Sequence, residues 1–134
     1  MMSEKQPIIF LVEEDDDTRP VLKRNLERDG YRVLLALNEE DALDRTVGGD
    51  HIKADLILVN LVGVSPDYVL KAARRIREHA RYGGATPIVV MAEKYGKDLE
   101  GTDAQVGANE WITYLEDPHQ LKNLLERILN RHSN

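Results

Sequence analysis

The chain has 134 residues, which suits one domain built around one core. It is 42% hydrophobic and 31% charged, and its net charge of −6 argues against non-specific nucleic-acid binding and an anionic membrane surface. There is no cysteine, so disulfides, thiolate metal sites and a cysteine nucleophile are excluded, which fits a cytoplasmic protein.

Met1 to Gln6 is polar and lacks the apolar region of a signal peptide. No apolar run reaches the roughly 20 residues that a spanning helix needs. Ile8 to Val12 is apolar throughout and reads as a buried strand, apolar on both faces. A helix is predicted from about Asp17 to Asp29, burying Val21, Leu22 and Leu26, with Gly30 as its C-cap. Tyr31 to Leu37 is more mixed and reads as an edge strand. Asn38 caps a second helix that carries Ala42 and Leu43.

Leu56 to Val59 is again a continuous apolar strand, ended by Asn60. Ser65-Pro66 starts a third helix, with Val69, Ala73, Ile76 and Ala80 facing inward. Pro87 precedes the strand Ile88 to Met91. The segment Lys97 to Val106 fills the place of a fourth helix, but Gly96, Gly101 and Gly107 and few apolar residues make it short or mobile. Trp111 to Leu115 is predicted as the other edge strand. Asp117-Pro118-His119-Gln120 opens a last helix, whose Leu121, Leu124, Leu125, Ile128 and Leu129 form one stripe.

This alternation predicts a flavodoxin-like (βα)5 doubly wound parallel sheet, strand order 2-1-3-4-5, with its functional crevice at the carboxyl ends of the strands. The chain stops just after the last helix. The expectation is a single domain over residues 1–134, with a core from about residue 7 to 131 and no output domain.

The strand ends carry the chemistry. The first strand runs into Glu13-Glu14-Asp15-Asp16-Asp17. Such acids either hold a divalent cation or stand in a solvated loop at the positive end of a helix. Asp15 to Asp17 fit the loop, while Glu13 and Glu14 leave both readings open.

The stretch Ile9-Phe10-Leu11-Val12-Glu13-Glu14-Asp15, followed by Arg19, resembles the opening of a response-regulator receiver domain from two-component signalling. Gly30-Tyr31-Arg32-Val33, Ala54-Asp55-Leu56-Ile57-Leu58-Val59, Thr86-Pro87-Ile88-Val89-Val90-Met91 and Gly107-Ala108-Asn109-Glu110-Trp111 resemble its second to fifth strands in order. The resemblance covers nearly the whole chain and rests on the ordered set.

The resemblance implies a phosphorylation site and also its loss. The family's acidic pair falls on Glu13 and Glu14, with a glutamate where the usual metal-binding aspartate stands. The phosphoacceptor aspartate falls on Asn60, the Thr or Ser of strand four on Ala92, the Lys of strand five on Tyr114, and the following Pro on Leu115. An asparagine amide keeps the shape of a carboxylate but carries no charge and is too weak a nucleophile to take up phosphate. A phosphoryl group would bring about −1.5 to −2 charges and three acceptor oxygens. Without it, a hydroxyl at position 92 and a lysine at position 114 have little to bind. Arg19 or Lys94 is left to neutralise the two glutamates.

Magnesium binding through Glu13 and Glu14 is expected to be weak, since Asn60 offers only a neutral oxygen and Glu14 is one methylene longer than Asp. No cofactor is required and no catalysis is expected. His51, His79, His119 and His132 show no pair at ligand spacing, and no nucleotide-binding glycine loop or hydrolase signature appears. The basic run from Lys71 to Arg81, with Arg74, Arg75 and Arg77, reads as the solvated face of the third helix.

The expected function is a pseudo-receiver, a signalling adaptor that works through contacts with signalling proteins. The resemblance implies a docking and homodimer face formed by helix four, strand five and helix five, with Trp111 in it. Two alternatives remain: a phosphorelay receiver using another acid, such as Asp55 or one of Asp15 to Asp17, and a divalent-metal or small-ligand module at Glu13 and Glu14.

Overall fold

The computed structural model describes residues 6–46, 53–92 and 96–129. Their elements are β1 (Ile8–Glu13), α1 (Thr18–Arg28), β2 (Arg32–Ala36), α2 (Glu39–Arg45), β3 (Leu56–Asn60), α3 (Pro66–His79), β4 (Ile88–Met91), β5 (Asp103–Gly107), β6 (Glu110–Thr113) and α4 (Pro118–Leu129). The strands form one sheet in the order β2-β1-β3-β4-β6-β5. Every pairing is parallel except that of β5 with β6.

The sheet is doubly wound because alternate residues of the apolar strands feed two cores. Phe10, Val12, Ile57, Val59, Ile88 and Val90 lie in one core with α2 and α3 side chains such as Ala42, Val69 and Ile76. Ile9, Leu11, Leu56, Leu58, Val89 and Met91 lie in the other with Leu26 of α1 and Leu121, Leu124 and Leu125 of α4. Burial of a Leu or Ile side chain stabilises by about 1.5–3 kcal/mol, so these layers carry the fold.

The predicted caps form. Asn38 Oδ1 accepts from Asp41 N at 2.8 Å and Ser65 Oγ from Tyr68 N at 3.2 Å. Asp117 Oδ1 accepts from Gln120 N at 3.1 Å, while Glu116 N donates back to Gln120 Oε1 at 2.8 Å. Gly30 takes φ 99° after α1, and Tyr31 N closes onto Leu26 O at 3.1 Å, a turn that glycine accepts without steric cost. Asp17 stands at the α1 N-cap without a side-chain hydrogen bond, and Asp15 Oδ2 accepts from Thr18 N instead.

Three expectations change. Val21 is 47% exposed, so only Leu22 and Leu26 turn inward from α1. The segment Lys97 to Val106 forms no helix: residues 97–101 make a turn, Gly101 takes φ 84°, and β5 follows as an antiparallel strand. A helix there would have no apolar stripe to bury, whereas a strand gains hydrogen bonds from β6 and a place for Asp103. In consequence β6 is not the sheet edge. β5 flanks it through a two-residue turn, Ala108-Asn109, with a register shift between Gln105 and Gly107.

Candidate functional site

Parallel pairing of β1 with β3 sets Glu13 beside Asn60 at the carboxyl edge of the sheet. Glu13 is fully buried and Asn60 is 7% exposed. Asn60 Nδ2 donates to Glu13 Oε2 at 2.9 Å, and Asp15 N donates to the same oxygen at 3.1 Å. Glu14 N donates to Asn60 O at 3.1 Å, tying the two strand ends together. Asn60 Oδ1 is buried and has no hydrogen-bond partner among the described residues. A carboxylate at position 60 would instead face Glu13 with like charge, so the amide is the group that suits this neighbour.

Glu14 is exposed, and its Oε1 accepts from Val62 N at 2.7 Å. The two glutamates therefore turn to different donors rather than converging on one point. Among the described residues no group of three or more His, Cys, Asp or Glu side chains is placed to hold a metal ion. The described residues at this edge do not by themselves assemble a magnesium site. Arg19 does not reach either carboxylate: it donates to Glu13 O at 2.8 Å and Glu14 O at 3.2 Å, and pairs with Asp16 at 2.9 Å. Its role is to hold the backbone of the acidic loop. Lys94, His51 and His132 lie outside the described residues, and His79 and His119 are exposed.

Ala92 ends the β4 side of the crevice, with its N–H donating to Thr113 O at 3.0 Å. Tyr114 is half-buried, and its main chain binds the turn before β5 through Thr102 O and Gly101 N. Asp15 forms hydrogen bonds with the Thr18 hydroxyl and N–H, and these hold its carboxyl below the usual range. Asp55 sits at the opposite, amino end of β3, where its Oδ2 accepts from Ile8 N at 2.7 Å.

Two polar assemblies were not legible in the sequence. Buried Thr113 donates to Asp103 Oδ1 at 2.6 Å, and Gln120 Nε2 reaches that same oxygen at 2.9 Å and Thr102 O at 3.1 Å. Gln120 thus caps α4 and fastens β5 at once. On the other face Glu110, 7% exposed, accepts from Arg74 and from Arg77 at 2.9 Å. The Arg74 hydrogen bond is the main cause holding its carboxyl below the usual range. A Cβ at Gly107 would overlap Glu110 Oε1, so glycine there leaves the carboxylate room to reach the arginines. Arg74 and Arg77 are therefore structural partners rather than a purely solvated face. The parallel pairing of β6 with β4, which sets Glu110 beside Ile88, brings it to them.

Trp111 is half-buried on β6 and packs toward the α1–α4 core. Among the described residues no helix stands between β4 and β6, so the face expected between helix four, strand five and helix five lacks its helix.

No protein-family model matches the chain. The curated proteins do: the uncharacterized transcriptional regulatory protein YkoG of Bacillus subtilis is 28% identical over 122 residues, covering 90% of this chain and 48% of its own length. SrrA of Staphylococcus aureus is 25% identical over 125 residues, covering 92% of this chain and 48% of its own length. A solved response regulator from Thermotoga maritima is 29% identical with a TM-score of 0.61, covering 97% of this chain and 100% of that one. The chain is similar to receiver domains of the response-regulator type and shares their fold. It spans about half the length of the curated relatives it matches. The receiver domain of the sensor kinase PA1611 from Pseudomonas aeruginosa is also similar, 25% identical with a TM-score of 0.64 over 94% of this chain and 99% of that one. That structure has magnesium in its active-site cleft. In the present chain the carboxyl edge of the sheet holds the Glu13–Asn60 hydrogen bond.

Proposed function

We propose that this receiver is a signalling module whose acceptor pocket does not take up phosphate and which acts through protein–protein contacts. The observation that carries the reading is the buried 2.9 Å hydrogen bond from Asn60 Nδ2 to Glu13 Oε2. The acceptor position holds an amide that already serves the neighbouring carboxylate. Ala92 and Tyr114 support the reading, since neither offers the hydroxyl or the ammonium that would bind a phosphoryl group. No catalysis and no divalent ion are required. Two-state behaviour, where present, is set by a partner's preference for one state rather than by covalent charge.

The partners on this reading are other signalling proteins of a cytoplasmic pathway. One protein of the same fold, TrrA, has been solved in complex with the histidine kinase ThkA. Among the described residues no helix is long and apolar enough to cross a membrane.

The test is incubation with acetyl phosphate and magnesium, followed by intact-mass spectrometry. No base-labile phosphoryl adduct is expected. An adduct on Asp55 or on Asp15, Asp16 or Asp17 that alters binding to a partner would replace this reading with a working phosphorelay. Asp55 at the wrong end of β3 and Asp15 held by Thr18 weigh against that outcome.

A further inference from the structure

The carboxyl edge is not the only built surface. At the other end of the sheet, α3 and the chain that follows it border an open cleft of about 600 Å³. Four arginines, Arg74, Arg75, Arg77 and Arg81, line it against Glu78 and Glu110. This is a local positive surplus on a chain whose net charge is −6. The loop Gly83-Gly84 closes one end, held by Asn109 Nδ2 donating to Gly84 O at 3.1 Å.

Part of this charge has a structural use. Arg77 also donates to Thr86 O at 3.1 Å, and cations in a last helical turn suit the helix dipole. Arg75 pairs with Glu39 at 2.7 Å and lies 5.6 Å from the centre of the Tyr68 ring. Arg81 has no such use. Its side chain is exposed and makes no hydrogen bond or ion pair among the described residues. Its backbone takes φ 60°, and it follows the Ala80 cap, where Arg81 N closes onto Glu78 O and Tyr82 N onto Arg77 O. That is the helix-terminating position which glycine occupies most readily. A long cationic side chain stands there in a strained conformation, aimed at a cleft that already holds surplus guanidinium. Arg74 is itself 44% exposed and has donor capacity beyond Glu110.

We propose that this cleft is a docking site for an acidic peptide segment of a partner protein. Charge complementarity and shape select the occupant. The cleft is open along one side, so it suits a chain lying across it rather than an enclosed small molecule. Arg74 and Arg81 are seven residues apart, about 10 Å along the helix direction. An extended peptide covers that span in about three residues, with alternate side chains on one face. Guanidinium forks match carboxylates in two-point geometry.

The experiment is fluorescence anisotropy of a fluorescein-labelled Glu-Ala-Glu-Ala-Glu peptide titrated with the full chain at low and physiological salt. Saturable binding that weakens with salt is expected. Arg81→Gly is expected to weaken it about five-fold, the scale of one exposed charge pair. The same variant should keep or raise the melting temperature, because glycine relieves the strain, so lost affinity would not reflect unfolding. Lys122→Gln removes the same charge from exposed α4 and should change binding less than about two-fold. Three results would overturn the proposal: no saturable binding at low salt, equal losses in the two variants, or displacement of the peptide by inorganic phosphate as readily as by unlabelled peptide.

Discussion

Placing an acid at position 60 should destabilise this protein in a pH-dependent way. In Asn60→Asp the new carboxyl stands where Nδ2 now donates to Glu13 Oε2 at 2.9 Å, inside a site only 7% and 0% exposed. Two ionised carboxylates at that distance repel by about 6 kcal/mol at an effective dielectric of about 20. Holding one proton on the pair costs less. With an unfolded Asp pKa of about 3.9, that cost is about 4 kcal/mol at pH 7 and about 1.5 kcal/mol at pH 5. The pair therefore shares a proton, and an O–H replaces the lost N–H donor. The sign follows from a folded pKa raised above its unfolded value. The penalty is small below pH about 4 and grows as pH rises through neutrality. Urea unfolding at pH 7 and pH 5 in a chelating buffer reads the difference. A loss of about 2–4 kcal/mol at pH 7, shrinking by at least half at pH 5, is expected. A variant as stable as the parent at pH 7, or equally weakened at both pH values, would refute the reasoning.

Glu110→Gln should cost about 1–2 kcal/mol at pH 7, because Arg74 and Arg77 lose a charged acceptor but their exposure screens the loss. The Glu110 carboxyl is depressed, so its stabilisation is complete above its ordinary value of 4.5 and is lost as pH falls through the lower native value. Acid titration of the parent and variant should converge there, and parallel curves would contradict the assignment. Gln120→Ala removes the side chain that joins α4 to Asp103 and Thr102. It should cost about 1–2 kcal/mol by denaturation and speed amide hydrogen exchange in 101–107 more than in β1 or β3. Leu124→Ala, at a site with 0% exposure between α4 and the sheet, should cost about 2–5 kcal/mol. Thermal or urea unfolding measures it, and a loss under about 1 kcal/mol would mean that α4 does not pack as described.

The central strands were legible because burial on both faces demands continuous apolar runs. Ile8 to Val12, Leu56 to Val59 and Ile88 to Met91 are too short for helices and suit strands covered on both faces. The helix starts at Asn38, Ser65 and Asp117 were legible because capping is a local hydrogen bond, settled within three residues. The place of Asn60 at a strand end was readable, since it follows from the apolar run before it. The segment 97–107 was not readable in this way. Its glycines and sparse apolar residues argue only against a good helix. The strand exists because β6 offers a free edge and because Thr113 and Gln120 supply partners for Asp103.

Local spacing therefore determined the core strands, the helices of the described residues and the place of Asn60 at a strand end. The tertiary structure alone decided the rest: which way Glu13 and Glu14 turn, that Arg74 and Arg77 close on Glu110, and that a strand occupies the sheet edge. The physical reason is range. Caps and periodicity act over a few residues, whereas these contacts join groups such as Glu13 and Asn60, 47 residues apart, and Arg74 and Glu110, 36 apart. Such partners meet only after the chain has closed its sheet.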